Sequence, residues 1–301
     1  MKDIKDVKIL VVGDIMLDKY VVGDVSRISP EAPVPIVRVV DEYCTLGGCG
    51  NVVRNIAALG AQVHCAASIG KDSSGEMIVS LLNQCGAVDI LTYKSERTII
   101  KERFIADQRK VQMLRVDREV TYPIDPTELI DEIDIHMMGN GNYDIIVVSD
   151  YAKGLITWDL MEYLRSLNVP IIIDPKPQHD DLYGHPLMIT PNKQEWLKME
   201  FSDRCKPEFV LVTEGKDGMT LYDYRQGRGQ AKIEGEPVDV YNVSGAGDTV
   251  VAIMAICLSM GFDPLKSARV ANSCAAYVVT QHGTSVVPEN IFKRSMNRFN
   301  M

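Results

Sequence analysis

Residues 242–256, "NVSGAGDTVVAIMAI", join two opposite tendencies. Val250, Val251, Ile253, Met254 and Ile256 leave almost no polar face, so the second half reads as a buried helix. The first half is a poor helix start. Gly245 and Gly247 each cost roughly 1 kcal/mol relative to alanine inside a helix. A carboxylate, Asp248, then stands where the apolar run begins. A helix N-terminus exposes unpaired N–H groups and carries a partial positive charge of about half a unit. Glycines let an anion approach that backbone closely. "SGAG" ahead of a helix is therefore an anion cradle, suited to the oxygens of a transferring phosphoryl group. A carboxylate beside it would repel the anion unless it takes the proton of an attacking hydroxyl. Cradle plus base describes a kinase with an alcohol acceptor. The plain structural reading is a glycine turn with an acid that complements the helix dipole.

Outward from this helix, short apolar runs alternate with helical patterns. Strands are expected at 8–12, 62–69, 144–149, 169–174, 186–190 and 209–213. Helices are expected at 50–59, 74–85, 126–138, 157–167, 246–260 and 264–280. This alternation predicts an α/β fold with a mainly parallel sheet covered on both faces. Residues 19–41 and 97–117 break the rhythm and read as extended segments, a small β layer projecting from the main sheet. No linker or repeat divides the chain, so residues 1–301 are expected to form one domain with a β appendage. In such sheets ligands bind beyond the carboxyl ends of the strands. Asp14 and Asp18, Ser149 and Asp150, Asp174 and Lys176, Thr190 and Asn192, and Thr213 and Glu214 all follow strand candidates.

Composition narrows the class. The net charge of -9 argues against a general nucleic-acid or membrane-surface role. No apolar run is long enough to span a bilayer, and the first residues lack a signal-peptide core, so a cytoplasmic location is expected. Seven cysteines without a CxxC pair give no zinc or disulfide framework. GxxxxGK[ST], GxGxxG and the HRD and DFG motifs are absent, which removes P-loop, dinucleotide and protein-kinase routes to a nucleotide. His64 on an apolar strand, Met254, Met260, Trp158 and Trp196 read as packing residues.

Five stretches in order resemble the PfkB/ribokinase family of sugar kinases and cover nearly the whole chain. They are "TLGGCGNVVRNIAALG" (45–60), "TPNKQE" (190–195), "LVTEGKDGM" (211–219), "NVSGAGDTV" (242–250) and "ANSCAAYVVTQHGT" (271–284). The resemblance implies a ribokinase-like three-layer sandwich with a small β lid built from about 19–41 and 97–117. It implies ATP and Mg²⁺ as co-reactants. Asp248 would be the base, and Gly245, Ala246 and Gly247 the anion hole. Asp14, Asp18, Gly48 and Asn51 would hold sugar hydroxyls. Thr213, Gly215 and Gly218 would line the nucleotide, with Asn272 near adenine and Lys176 near the phosphates. Asn192 and Glu195 would place Mg²⁺ partly through water. Four further stretches, "VVGDIMLDKY", "SRISPEAPVPIV", "VVSDYAKGL" and "IIIDPKP", resemble the heptose 7-phosphate kinases within the family. They imply transfer of the γ-phosphoryl group of ATP to O1 of D-glycero-β-D-manno-heptose 7-phosphate, an early step of activated-heptose synthesis. That subgroup is commonly fused to a nucleotidyltransferase. The present sequence stops after the kinase portion, so a stand-alone kinase is expected.

A phosphorylated sugar needs a cationic clamp. Arg103 and Lys153 are the first candidates, then Lys101 and Arg109, with Arg27 reaching from the lid or from a partner subunit. Exposed Val34, Ile36 and Val39 predict a homodimer through the lid. Two departures from the family stand out. Asn242 replaces a usual Asp, which weakens the case for a monovalent cation. Only 17 residues separate Glu195 from Thr213, where the family carries more helix, so a more open nucleotide side is expected. The same residues leave open another sugar or sugar phosphate, or a sugar- or nucleotide-binding homologue without turnover.

Overall fold

The computed structural model describes residues 2–92, 95–107, 111–119, 121–201, 204–225, 227, 229–281 and 283–299. Strand β1 (Lys8–Gly13) is an interior strand of a nine-stranded sheet and is buried along its whole length. Its neighbours are β4 (Gln62–Ser68) and β8 (Ile145–Ser149), both parallel to it. The sheet continues through β5 (Val88–Thr92) on one side. On the other it runs through β9 (Ile171–Asp174), β10 (Met188–Ile189) and β11 (Phe209–Thr213), all parallel. Two antiparallel strands, β12 (Met219–Asp223) and β13 (Gly229–Ile233), close that edge.

Alternation along each strand divides the core. Ile9 and Val11 face one layer, Leu10 and Val12 the other. The first layer packs against α1 (Cys49–Ala58), α2 (Ser73–Cys85), α6 (Ala246–Ser259), α7 (Pro264–Val279) and α8 (Glu289–Arg298). The second packs against α3 (Thr127–Asn140) and α4 (Trp158–Ser166). A single-turn α5 (Lys193–Trp196) follows β10. Helix α6 is the apolar run of the opening stretch, and Asp248 through Cys257 are all buried. No helix among the described residues is long and apolar enough to cross a membrane.

The six expected helices are present with boundaries within two residues. The β appendage is larger than expected. A separate four-stranded sheet has the order β3-β2-β6-β7, with β2 at Ile15–Ile28, β3 at Pro35–Gly48, β6 at Ile100–Ala106 and β7 at Val111–Arg118. The stretch 45–48, outside the expected extended segments, pairs with Ile15–Asp18. A Cβ at Gly47 would lie 2.7 Å from the Asp18 carboxylate, so only glycine lets the backbone pass there. Strands β5, β12 and β13 and helix α8 escaped the sequence reading. β13 is an edge strand, β12 beside it mixes polar and apolar residues, and α8 has few apolar residues, so none of the three carries a continuous apolar run.

Candidate active site

Gly245 caps α6 with φ 82°, a left-handed conformation that favours glycine. This turn aims the helix N-terminus into the cleft between the two sheets. The N–H groups of Gly247 and Asp248 have no hydrogen-bond partner among the described residues. Asp248 is 7 % exposed. Its Oδ2 accepts from Asn51 Nδ2 at 2.8 Å and its Oδ1 from the Tyr151 hydroxyl at 3.0 Å. Burial raises its carboxyl above the ordinary range and the nearby Asp18 charge adds to this, while both hydrogen bonds and Lys101 pull it back. The result is a buried, oriented carboxylate with raised basicity beside bare N–H donors.

Two cavities meet at this helix start. The first, of about 150 Å³, is lined by Asp18, Gly48, Asn51, Arg103, Gly245 and Asp248, joined by Lys101, Tyr151 and Thr284. Arg103 Nη1 pairs with Asp18 Oδ1 at 2.7 Å. Burial works against the guanidinium's charge, but Asp18 outweighs it and raises the Arg103 pKa. Lys101 has no ion-pair partner among the described residues, and burial lowers its pKa. The second cavity, of about 430 Å³, is lined by Asn192, Thr213, Gly215, Gly218, Ala246, Gly247 and Asn272, with apolar walls from Val238, Val240, Val250 and Ala276. Asn272 Nδ2 is tied to Glu234 O at 3.0 Å. Gly245 and Asp248 thus face a small polar chamber, and Ala246 and Gly247 face a larger apolar one.

Several expected site residues lie elsewhere. Asp14 lines neither cavity. Its carboxylate is buried and accepts from Tyr151 N at 2.9 Å, Lys153 N at 3.0 Å and Leu155 N at 3.3 Å, so it clamps the loop after β8. Lys153 lines a third cavity, of about 700 Å³, and pairs with Glu119 at 2.6 Å instead of facing Asp248. Lys176 lines that cavity too and pairs with Glu195 at 2.5 Å. Burial alone would lower Lys176, but Glu195 and Asp174 raise it. Trp158, expected in packing, is half exposed on the wall of the same cavity, under the Arg165 guanidinium. Arg27 is exposed on β2, and Arg109 lies outside the described residues. His64 is buried, bonded to the Tyr143 hydroxyl at 2.9 Å, and lowered to about 4 by burial and by Lys8 and His136, as a neutral core histidine.

A buried carboxylate at a glycine-capped helix start, between a small polar chamber and a larger apolar one, accords with the family resemblance. The model of the pfkB family of carbohydrate kinases matches residues 6–290. This chain belongs to that family. It is similar to the bifunctional protein HldE of Rhodospirillum rubrum, 39% identical over 307 residues, covering 94% of this chain and 60% of that protein. It is also similar to the bifunctional protein HldE of Hydrogenovibrio crunogenus, 34% identical, covering 99% and 64%. The chain therefore spans about 60% of the length of these relatives. Among solved structures, Escherichia coli phosphofructokinase-2 in complex with potassium superposes with a TM-score of 0.78 at 18% identity, over 98% of this chain and 99% of that one. Arabidopsis thaliana ribokinase complexed with ribose and ATP gives 0.70 at 17%, over 97% and 99%. These likenesses establish the ribokinase-like fold, and family membership makes the chain a carbohydrate kinase.

The family resemblance puts Mg²⁺ near α5, and the donor set there can be compared with that expectation. Asn192 Oδ1 caps α5 by accepting from Gln194 N and Glu195 N, and Glu195 Oε2 accepts from Asn192 N, a capping box. The other Glu195 oxygen is taken by Lys176. No group of three or more His, Cys, Asp or Glu among the described residues could hold a metal directly. These residues fit an ion brought by nucleotide phosphates and held through water.

Tyr151 and Thr284 were not singled out by sequence. Tyr151 lies in the quoted "VVSDYAKGL", and the one signal for it was its place just past a strand end. Asn242 Oδ1 accepts from Ser244 N at 2.9 Å, so the amide serves the turn ahead of the glycines without a charge. The stretch from Leu197 to the start of β11 carries no helix among its described residues, and Leu197 is 76 % exposed.

Proposed function

We propose that this chain transfers the γ-phosphoryl group of ATP to the O1 hydroxyl of D-glycero-β-D-manno-heptose 7-phosphate, giving the 1,7-bisphosphate. On this reading residues 1–301 act as a single kinase domain in the cytoplasm, with the four-stranded sheet as its lid. The observation that carries it is Asp248, buried at the junction of the two cavities with bare N–H groups beside it. The acceptor occupies the smaller chamber with a hydroxyl on Asp248, and Asp18 and Asn51 orient the ring through hydrogen bonds. The nucleotide lies in the larger chamber, its apolar walls around the base and Gly215 and Gly218 near the phosphates. Asp248 takes the proton as the hydroxyl attacks, and the N–H groups of the α6 start receive the charge on the transferring group. Mg²⁺, when bound with ATP, neutralises charge between the phosphates. Lys101, the unpaired cation of the small chamber, and Arg103 beside it supply the clamp for the sugar's own phosphate. Resemblance of four stretches to heptose 7-phosphate kinases and similarity to two HldE proteins support this acceptor.

The test is an ATP-coupled assay across heptose 7-phosphate, fructose 6-phosphate, ribose and fructose. Heptose 7-phosphate is expected to give the highest kcat/KM. Asp248→Asn is expected to lower kcat by about 10²–10⁴ with sugar binding retained. Lys101→Ala and Arg103→Ala are expected to raise KM for phosphorylated sugars only. Preference for a plain sugar overturns the clamp, and undiminished turnover by Asp248→Asn overturns the base.

A further inference from the structure

We propose that Tyr151 is a positioning residue for the base, its hydroxyl holding the Asp248 carboxylate in orientation and keeping it ionised. This rests on the reading of Asp248 as the base.

The loop that carries Tyr151 is unusually constrained. Asp14 receives the N–H groups of Tyr151, Lys153 and Leu155 in one buried carboxylate. Asp150, with no exposed surface, takes Ala152 N at 2.7 Å on one oxygen and the Tyr183 hydroxyl and His179 Nδ1 at 2.7 Å on the other. Between these anchors Ala152 is held at φ 54°, a left-handed conformation that a residue with a Cβ rarely adopts. Such strain persists only where the surroundings over-determine it, and it concentrates at functional sites. Its product here is a fixed phenol.

That phenol stands between the small chamber and the third cavity, of about 700 Å³. Lys101, from the small chamber, and Lys176, from the third cavity, each lie 5.4 Å from the Tyr151 ring centroid. Burial and the charges of Asp248 and Asp174 push Tyr151 well above the ordinary phenol range, so the hydroxyl stays protonated and donates. Asp248 then has one donor on each oxygen, Tyr151 on Oδ1 and Asn51 on Oδ2. Each oxygen keeps a second acceptor site for the incoming hydroxyl. The other charged or titratable groups facing Asp248 are Asp18 on β2, Lys101 and Arg103 on β6, Cys49 on α1 and Asp174 at the end of β9. None of these donates a hydrogen bond to the carboxylate, so Tyr151 is the titratable donor on it among the described residues. A bond to the charged form favours that form.

The test is Tyr151→Phe, which keeps the ring, measured with ATP and the acceptor on which the wild type is fastest in the panel above. The plateau kcat is expected to fall about tenfold with KM for ATP unchanged. The acid limb of the kcat/KM profile is expected to move up by about one pH unit, because the carboxylate loses a donor. A wall residue without this role leaves the limb in place, so superimposable pH profiles overturn the proposal. A ¹³C-carboxyl NMR titration of Asp248 in both proteins gives the same answer without turnover: an unchanged midpoint also overturns it. Asp248→Asn is run in parallel. If that variant keeps wild-type turnover, the base assignment itself fails. If it is inactive while Tyr151→Phe matches the wild type, only the positioning role fails.

Discussion

Gly245 and Gly247 stand two residues apart, and replacing each by alanine should move stability in opposite directions. Gly245 sits at φ 82°, and a Cβ there would lie 2.6 Å from Asn51 Nδ2 and 2.9 Å from Thr284 Cγ2. The left-handed conformation costs an alanine about 1–2 kcal/mol. The Asn51 amide must also give way, and it is 1 % exposed and bonded to Asp248. Losing a hydrogen bond to a charged group costs about 1.5–3 kcal/mol. Gly245→Ala is therefore expected to destabilise the fold by about 2.5–5 kcal/mol and to lower kcat through Asp248. Gly247 has helical geometry, and a Cβ there meets nothing within 4 Å. In the folded chain Gly247→Ala should gain up to about 1 kcal/mol of stability. Its methyl group, however, projects from a residue that lines the 430 Å³ cavity, where the proposed function puts the phosphates of ATP. KM for ATP is expected to rise about tenfold, equivalent to about 1.4 kcal/mol, within the usual cost of overpacking. Urea denaturation and steady-state kinetics on the two variants check both signs. Equal stability changes, or a Gly247→Ala protein with wild-type KM for ATP, would refute the reasoning.

The four-stranded sheet and its turn expose Ile28, Val34, Val39, Val40, Val111 and Leu114, apolar surface that a second copy would cover. The wild type is expected to sediment as a dimer and Val39→Asp as a monomer; a monomeric wild type removes the lid interface. His179 is raised chiefly by its hydrogen bond to the buried Asp150, against burial. A raised histidine stabilises the fold fully below its unfolded value of about 6.5, and that contribution is lost as pH rises through the folded value. His179→Gln should therefore cost about 1–2 kcal/mol in denaturation at about pH 5.5 and less at about pH 9, and a larger loss at the higher pH contradicts this sign.

The layers of the fold were legible because apolar periodicity is a local property. "KILVVG" and "VVAIMAI" state their own burial, and the expected helices fall within two residues of the observed ones. The edge strand β13 was not legible, because an edge strand is half solvated and looks like a loop. The site divides in the same way. The glycines, the acid and the helix behind them are adjacent in sequence, so their chemistry could be read in one stretch. The partners of Asp248 come from 197 and 97 residues away, and no local pattern brings Asn51 and Tyr151 to one carboxylate. Only the packing of α1 and the β8 loop against α6 does so. Tertiary structure also separated cations that look alike in sequence. Lys153 and Lys176 are neutralised by Glu119 and Glu195, whereas Lys101 shares a chamber with Asp248 and forms no ion pair among the described residues. Which charges are left over is a property of three-dimensional neighbours, because pairing and desolvation fall off over a few ångströms of space and take no account of distance along the chain.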